Sequence, residues 1–228
     1  LFWARVELVN RFEVMMTDLT TTLLLVRHGQ ARAEEGSYGP DTPLSELGVR
    51  QSEALADALT GDAAPTHVYA SPLPRAAQTA GPLCDRLGLE AQLDERLMEF
   101  EFGVTTLPAM GGRPDLLFWR PEQSGTDGGE TLGAFATRVA EFLDEVVSRH
   151  AGARVAVVSH AGVIDASLRW AVGLGPDTLW QHEFEIDNCS IAELQVWNGG
   201  RVSGGSPRYV SVRHVGDIAH LGELVSVV

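Results

Sequence analysis

The run Leu23-Leu24-Leu25-Val26 constrains this chain more than any other stretch, because it is apolar without alternation and stops abruptly at Arg27-His28-Gly29-Gln30. Four apolar residues bounded in this way make a short strand covered on both faces, the habit of a parallel or mixed sheet. Val155 to Val158 repeats the pattern and stops at Ser159-His160-Ala161-Gly162, while Thr66 to Ala70 is a shorter strand that stops at Ser71-Pro72-Leu73-Pro74-Arg75. In open α/β sheets ligands collect at the carboxyl ends of the strands, so all three polar clusters lie where chemistry is expected.

Helical patterns separate these strands. Ser45 is the expected N-cap of a helix whose apolar stripe is Leu47, Leu55, Ala58 and Leu59 and which stops at Gly61-Asp62. Ala76, Ala77, Ala80, Leu83, Cys84 and Leu87 recur at helical spacing before Gly88, with Pro82 predicting a kink or a late start. Thr131 to His150 is the clearest helix, with Leu132, Phe135, Val139, Phe142, Leu143, Val146 and Val147 on one face. Val163 to Val172 reads as a fourth helix. Glu90 to Leu93, Cys189 to Val196 and Tyr209 to Val215 read as further strands. This alternation predicts an α/β three-layer sandwich: a central, mostly parallel mixed sheet with helices on both faces.

Polar, Gly- and Pro-rich segments at Ala31 to Pro43 and Val104 to Gly129 read as loops, and the second is long enough to serve as a lid or binding wall. Residues 1–16 lack the apolar core and cleavage site of a secretory signal and read as an N-terminal extension before Met15-Met16, leaving 17–228 as a single domain. No apolar run reaches membrane-spanning length, and cytoplasmic location is the default expectation. Cys84 and Cys189 have no metal-ligand spacing and are expected as buried free thiols in a reducing compartment. A formal net charge of −14 argues against nucleic acid as a partner, because non-specific binding needs basic residues to neutralise phosphates. It does not argue against a small phosphorylated ligand, since two or three arginines in a cleft set the local field. Oligomeric state is not legible: a helix stripe facing a partner reads like one facing a core.

A lone histidine at a strand end is ordinarily structural. If the three strands lie together, however, two histidines and two arginines converge on one crevice. Guanidinium forks match phosphoryl oxygens with paired, charge-assisted hydrogen bonds. One histidine can then accept the phosphoryl group, while a second stabilises charge in an in-line transfer.

Arg27-His28-Gly29, Ser71 through Arg75 with Ala77-Gln78-Thr79-Ala80, and Ser159 through Gly162 resemble the signatures of the histidine phosphatase superfamily, the phosphoglycerate-mutase-like group, in its phosphatase branch. Pro43 through Gly48 with Gln51, Leu97-x-Glu99 ending at Gly103, Gly128-Gly129-Glu130-Thr131 and Asp217-x-x-His220-Leu221 are similar to it as well, so the resemblance runs in order from about Leu23 to Leu221.

That resemblance implies a phosphoglycerate-mutase-like fold and assigns roles by position. His28 becomes the phosphohistidine; Arg27, Arg75 and His160 hold the phosphoryl oxygens; Glu99 protonates the leaving oxygen and then activates water. No metal and no cofactor are implied. Spacing alone does not separate Glu99 from Glu101, which lies on the same side of an extended segment, with Phe100 and Phe102 pointing into the core. Glu130 has two readings, lining the site or capping the long helix. His67, His150, His182 and His214 belong to no motif and read as structural or exposed.

The chain departs from the family pattern at Gln30-Ala31-Arg32-Ala33-Glu34, where a hydroxyl is missing at Ala31 and Glu34 replaces an asparagine; Gln30 still supplies a donor for substrate binding. Val104 through Pro108 replaces the usual tryptophan- and glycine-containing continuation. The expectation is a metal-independent phosphatase acting on phosphomonoesters of a small metabolite. The alternatives are a cofactor-dependent phosphoglycerate mutase and a phosphoprotein or phosphohistidine phosphatase.

Overall fold

The structure, a computed structural model, describes residues 20–32, 39–100, 122, 129–180, 184–197 and 208–226. The expectations for residues 1–16, Glu34, Glu101, Phe102, Gly103, the greater part of 104–129 and His182 lie outside the described residues.

Strand β1 (Thr20–Arg27) leads into helix α1 (Glu46–Ala58), followed by β2 (His67–Ala70), α2 (Pro74–Leu87) and β3 (Ala91–Leu93). Then come α3 (Leu132–Arg149), β4 (Arg154–Ser159), α4 (Ala161–Ala171), β5 (Ile191–Trp197) and β6 (Tyr209–Asp217). The six strands form one sheet in the order β3-β2-β4-β1-β5-β6. β3, β2, β4 and β1 run parallel, and β5 and β6 close the sheet as antiparallel neighbours.

The period of two in a strand explains the three layers. Leu23 and Leu25 of β1, with Val155 and Val157 of β4, face a core that includes Phe135 and Phe142 of α3 and Val163 and Leu168 of α4. Leu24 and Val26, with Ala156 and Val158, face the opposite core, built with Leu55 of α1 and Ala80 and Leu83 of α2. Both faces are covered, as the unalternating apolar runs require. All seven residues expected on the long helix's apolar face are buried, and Thr131 caps that helix by accepting from the Ala134 N–H.

Three local expectations are corrected. The buried face of α1 is Gly48, Gln51, Ser52, Leu55 and Ala56, not the stripe through Ala58, which is exposed. Two polar side chains take core positions there: Ser52 Oγ donates to Val49 O at 2.7 Å within the helix, while Gln51 meets long-range partners. Gln51 accepts from the Gln30 N–H at 2.8 Å and donates to Leu224 O at 2.7 Å and to Ser226 Oγ at 2.9 Å. Helix α2 begins at Pro74, well before Pro82, and runs through it. Pro74 is suited to the first turn, where no intrahelical donor is needed, and the buried Ala76, Ala80 and Leu83 hold the rest against the sheet. Finally, β5 starts at Ile191, because Cys189 adopts a left-handed backbone (φ 55°) that turns the chain just before it.

Candidate active site

Parallel register brings the three polar clusters together. Arg27 pairs with Ser159, Ala70 pairs with Val158, and β4 lies between β1 and β2. Just past the strand ends, the His28 N–H donates to Ser159 O at 2.8 Å and the Ser71 N–H to Val158 O at 3.0 Å. His28 and His160 therefore emerge side by side, their ring centroids 5.1 Å apart in an edge arrangement.

His28 is almost wholly buried, and its ring is held at both nitrogens. Nδ1 lies 2.7 Å from Gly29 O, which can only accept, so Nδ1 carries the hydrogen. Nε2 accepts from Arg75 Nε at 3.2 Å, and a guanidinium can only donate, so Nε2 holds a lone pair. The His28 imidazole is pushed down to about 3, chiefly by burial; the Gly29 hydrogen bond opposes this, and the Arg75 and Arg27 charges add to it. The ring is neutral at physiological pH.

The backbone around His28 is tightly fitted. The Gly29 N–H donates to Thr79 Oγ1 at 3.0 Å, and a Cβ at Gly29 would lie 2.7 Å from Gly48 O. A Cβ at Gly48 would lie 2.1 Å from Gln30 O, so side chains are excluded where α1 meets this loop. Asn188 Nδ2 donates to His28 O at 3.0 Å, and the Cys189 N–H donates to Arg27 O at 3.0 Å. Asn188 has no role in the sequence reading. It stands outside every motif, and only the return of the chain before β5 brings it here.

His160 is fully buried. Its Nε2 lies 2.9 Å from Ser71 Oγ, and Nδ1 is buried with no hydrogen-bond partner. Ser71 Oγ accepts from the Leu73 N–H at 3.3 Å, and its hydroxyl hydrogen can be donated to His160 Nε2 in the tautomer that carries its hydrogen on Nδ1. Burial pushes His160 down to about 2, reinforced by the charges of His28, Arg75, Arg27 and Arg138. Arg75 is buried, and its Nη1 donates to Gly39 O and Pro40 O. Arg27 is half-buried; Nη1 donates to Ile186 O, and Nε is buried without a partner.

Glu99 joins the group from the segment after the short 3₁₀ turn at Glu95–Leu97. Its Oε1 accepts from the Phe100 N–H at 2.9 Å, and its Oε2 from the Gly162 N–H at 3.3 Å, in the first turn of α4. Burial raises the Glu99 carboxyl above its ordinary range, while these two backbone bonds and the Arg75 and Arg27 charges pull the other way. A Cβ at Gly162 would come within 2.4 Å of Glu99 Oε1, so a side chain there would displace the carboxyl from this position. Phe100 is buried, as expected.

Gln30 follows Gly29 and is half-buried. Its Oε1 accepts from the Ser45 hydroxyl at 2.7 Å, so the amide's NH₂ is its donor end. Glu130 does not cap the long helix. Thr131 caps α3, and Glu130 forms an ion pair with Arg138, a residue outside every motif. Of the histidines read as structural or exposed, His67 and His150 stack at the opposite end of the sheet and His214 lies on β6. Cys84 and Cys189 are free and buried, and burial pushes the Cys189 thiol up to about 12. Among the described residues no helix is long and apolar enough to cross a membrane.

The model of the histidine phosphatase superfamily (branch 1) matches residues 23–204. A protein of Yersinia enterocolitica named "Probable phosphoglycerate mutase" is 30% identical over 211 residues, covering 87% of this chain and 94% of its own. The solved mycobacterial glucosyl-3-phosphoglycerate phosphatase is 28% identical with a TM-score of 0.64, covering 77% of this chain and 90% of that one. A second solved protein, "Mycobacterial hydrolase 1", is 26% identical with a TM-score of 0.69 over 87% and 99% of the two chains. The extent of the family match, the order of the motifs and the fold they share lead to one assignment: this chain belongs to the histidine phosphatase superfamily, branch 1, among the phosphoric monoester hydrolases.

Proposed function

We propose that this protein hydrolyses phosphomonoesters of a small metabolite through a phosphohistidine on His28, without a metal ion. The observation that carries this reading is the fixed lone pair of His28. Nδ1–H is spent on Gly29 O, so Nε2 is the nucleophilic nitrogen, and it lies in the first layer of Arg75. An imidazole kept neutral by burial is ready to attack without first losing a proton.

The chemistry then runs in two balanced halves. The Nε2 lone pair forms the N–P bond as the P–O bond of the ester breaks, and Glu99, whose carboxyl burial pushes above its ordinary range, gives a proton to the leaving oxygen. The resulting carboxylate takes a proton from water, whose oxygen attacks phosphorus; the N–P bond breaks and phosphate departs. Arg27 and Arg75 set their guanidinium charge against the developing negative charge. Once Ser71 donates to His160 Nε2, His160 Nδ1 presents a hydrogen to the phosphoryl oxygens. The unpartnered Nδ1 of His160 and Nε of Arg27 are the kind of buried polar atoms that an anion satisfies. Gln30 would donate from its NH₂ at the edge of the same site.

The name of the Yersinia relative makes return of the phosphoryl group to substrate the competing outcome. One experiment separates the two: turnover of a panel of phosphate monoesters, in the presence of chelator, by wild type and His28→Ala. Chelator-resistant phosphate release that falls by at least about 10³-fold in the variant supports the hydrolase, since removing a covalent nucleophile abolishes the route. Retention of a tenth of the wild-type rate would overturn it. No release on any ester, together with isomerisation of a phosphoglycerate, would select the mutase.

A further inference from the structure

Arg138 of α3 joins one short backbone segment to one carboxylate. Its Nη1 donates to Arg96 O at 2.6 Å and to Met98 O at 2.8 Å; its Nη2 donates to Glu99 O at 3.2 Å and to Glu130 Oε1 at 2.6 Å; its Nε donates to Glu130 Oε2 at 3.0 Å. A guanidinium has five N–H donors, so these five acceptors use all of them. The plane also rests 4.6 Å from the ring centroid of Phe135, which is fully buried and packs edge-on against Phe100, the residue after Glu99.

Three of those acceptors are backbone carbonyls of one short segment, 96–99, which lies outside the strands and whose Leu97 O accepts from Ser159 Oγ at 2.7 Å. Glu99 sits at its end. On the other side, its carboxyl rests against Gly162, in the first turn of α4, and accepts from the Gly162 N–H at 3.3 Å. The segment is therefore gripped from α3 through its backbone and from α4 through its side chain. An arginine with every donor occupied is no ligand for substrate; it is a fixture.

We propose that Arg138, locked by Glu130, is a positioning residue that sets where the Glu99 carboxyl stands relative to the leaving oxygen. This rests on the reading of Glu99 as the acid and adds what holds it in place. Lysine keeps the charge but offers a compact ammonium with no fork, and cannot reach three carbonyls and a carboxylate at once. Displacing a catalytic group by about 1 Å costs on the order of 10²-fold, and only in steps that use the group.

The test is kcat/KM, which reports events up to release of the leaving group, for esters whose leaving groups run from p-nitrophenol to a simple alkanol. Wild type, Glu99→Gln, Arg138→Lys and Glu130→Gln are compared, with thermal unfolding measured in parallel. Arg138→Lys is expected to lose about 10²-fold on the alkyl ester and under about threefold on the p-nitrophenyl ester, following Glu99→Gln in its dependence on the leaving group. Glu130→Gln, which keeps the shape and releases the ion pair, should show the same slope at smaller amplitude, and it carries the test if the lysine variant does not fold. Equal losses on all esters, or none, in a folded variant would overturn the positioning role while leaving Glu99 as the acid. If Glu99→Gln itself lost equally on both esters, the acid assignment and the positioning role would fall together.

Discussion

Two pairs of histidines sit at opposite ends of the same sheet, and they are built differently. At the carboxyl end, His28 and His160 stand edge to edge at 5.1 Å, both buried, among two guanidiniums. At the amino end, His67 and His150 stack at 3.9 Å, half-buried, with hydroxyl partners: Thr66 Oγ1 at 2.9 Å from His67 Nδ1, and the Tyr69 hydroxyl at 2.8 Å from His150 Nε2. In the first pair His28 Nε2 accepts from Arg75 Nε at 3.2 Å, and His160 Nδ1 is buried without a hydrogen-bond partner. The second is knitted into its surroundings. Histidine pairs are common enough, and what distinguishes a chemical pair is the combination of burial, neighbouring positive charge and an unspent nitrogen.

The largest effect that would sharpen this contrast is on turnover. His160→Ala is expected to lower kcat by about 10²- to 10³-fold, the range for removing one donor aimed at developing charge, with unfolding temperature close to wild type. Steady-state hydrolysis of p-nitrophenyl phosphate checks it. A loss below about fivefold would make His160 a structural partner of Ser71 and erase the difference between the two ends.

A middle-sized effect concerns acid. Folded His28 and His160 titrate at about 3 and about 2, against an ordinary value of 6.5. Between those limits the unfolded chain holds more protons than the folded one, so stability rises with pH. Their contribution is present in full above about pH 6.5 and is lost as pH falls toward the folded values. Urea midpoints measured from pH 7 to 4 should therefore decline, and His160→Gln should flatten the decline. His150 is also lowered, by burial first and then by the charges of His67 and Arg149, and His150→Gln should flatten it less. An equal flattening at both ends would show that burial alone, without the guanidiniums, sets the behaviour.

How much of this was legible in the chain depended on the reach of each interaction. β1, β4 and α3 were readable because their burial follows from residues within one element: Leu23 to Val26, Val155 to Val158, and seven apolar residues at three- and four-residue steps. The convergence of His28, Arg75 and His160 was readable because polar clusters at ends of parallel strands meet whenever the strands are neighbours. Gln51 was not readable as core, since its burial answers to Gln30, Leu224 and Ser226, which lie far off in the chain. Asn188 and Arg138 escaped for the same reason. Each serves backbone carbonyls rather than a ligand, and a carbonyl leaves no trace in side-chain pattern. The motifs gave the groups proposed to touch phosphate; the groups that hold those in place came only with the fold.

The smallest expected effect is at the amino end itself. His67→Gln and His150→Gln should each leave kcat and KM within about twofold of wild type, and each should cost no more than about 1–2 kcal/mol of stability, the net worth of one or two neutral hydrogen bonds. Glutamine keeps a donor and an acceptor for Thr66 or the Tyr69 hydroxyl while removing the stacked ring, so the measurement isolates the ring contact. The four parallel strands separate this end from the site by the full length of β2 and β4, and Val68, Ala70, Val155 and Val157 pack between as buried apolar side chains. A rigid apolar layer transmits displacement but not charge. A loss of turnover at His150→Gln beyond about tenfold, with the fold intact, would therefore mean that Tyr69 or the α3 terminus shifts the strands themselves, and that the two ends of the sheet act as one device.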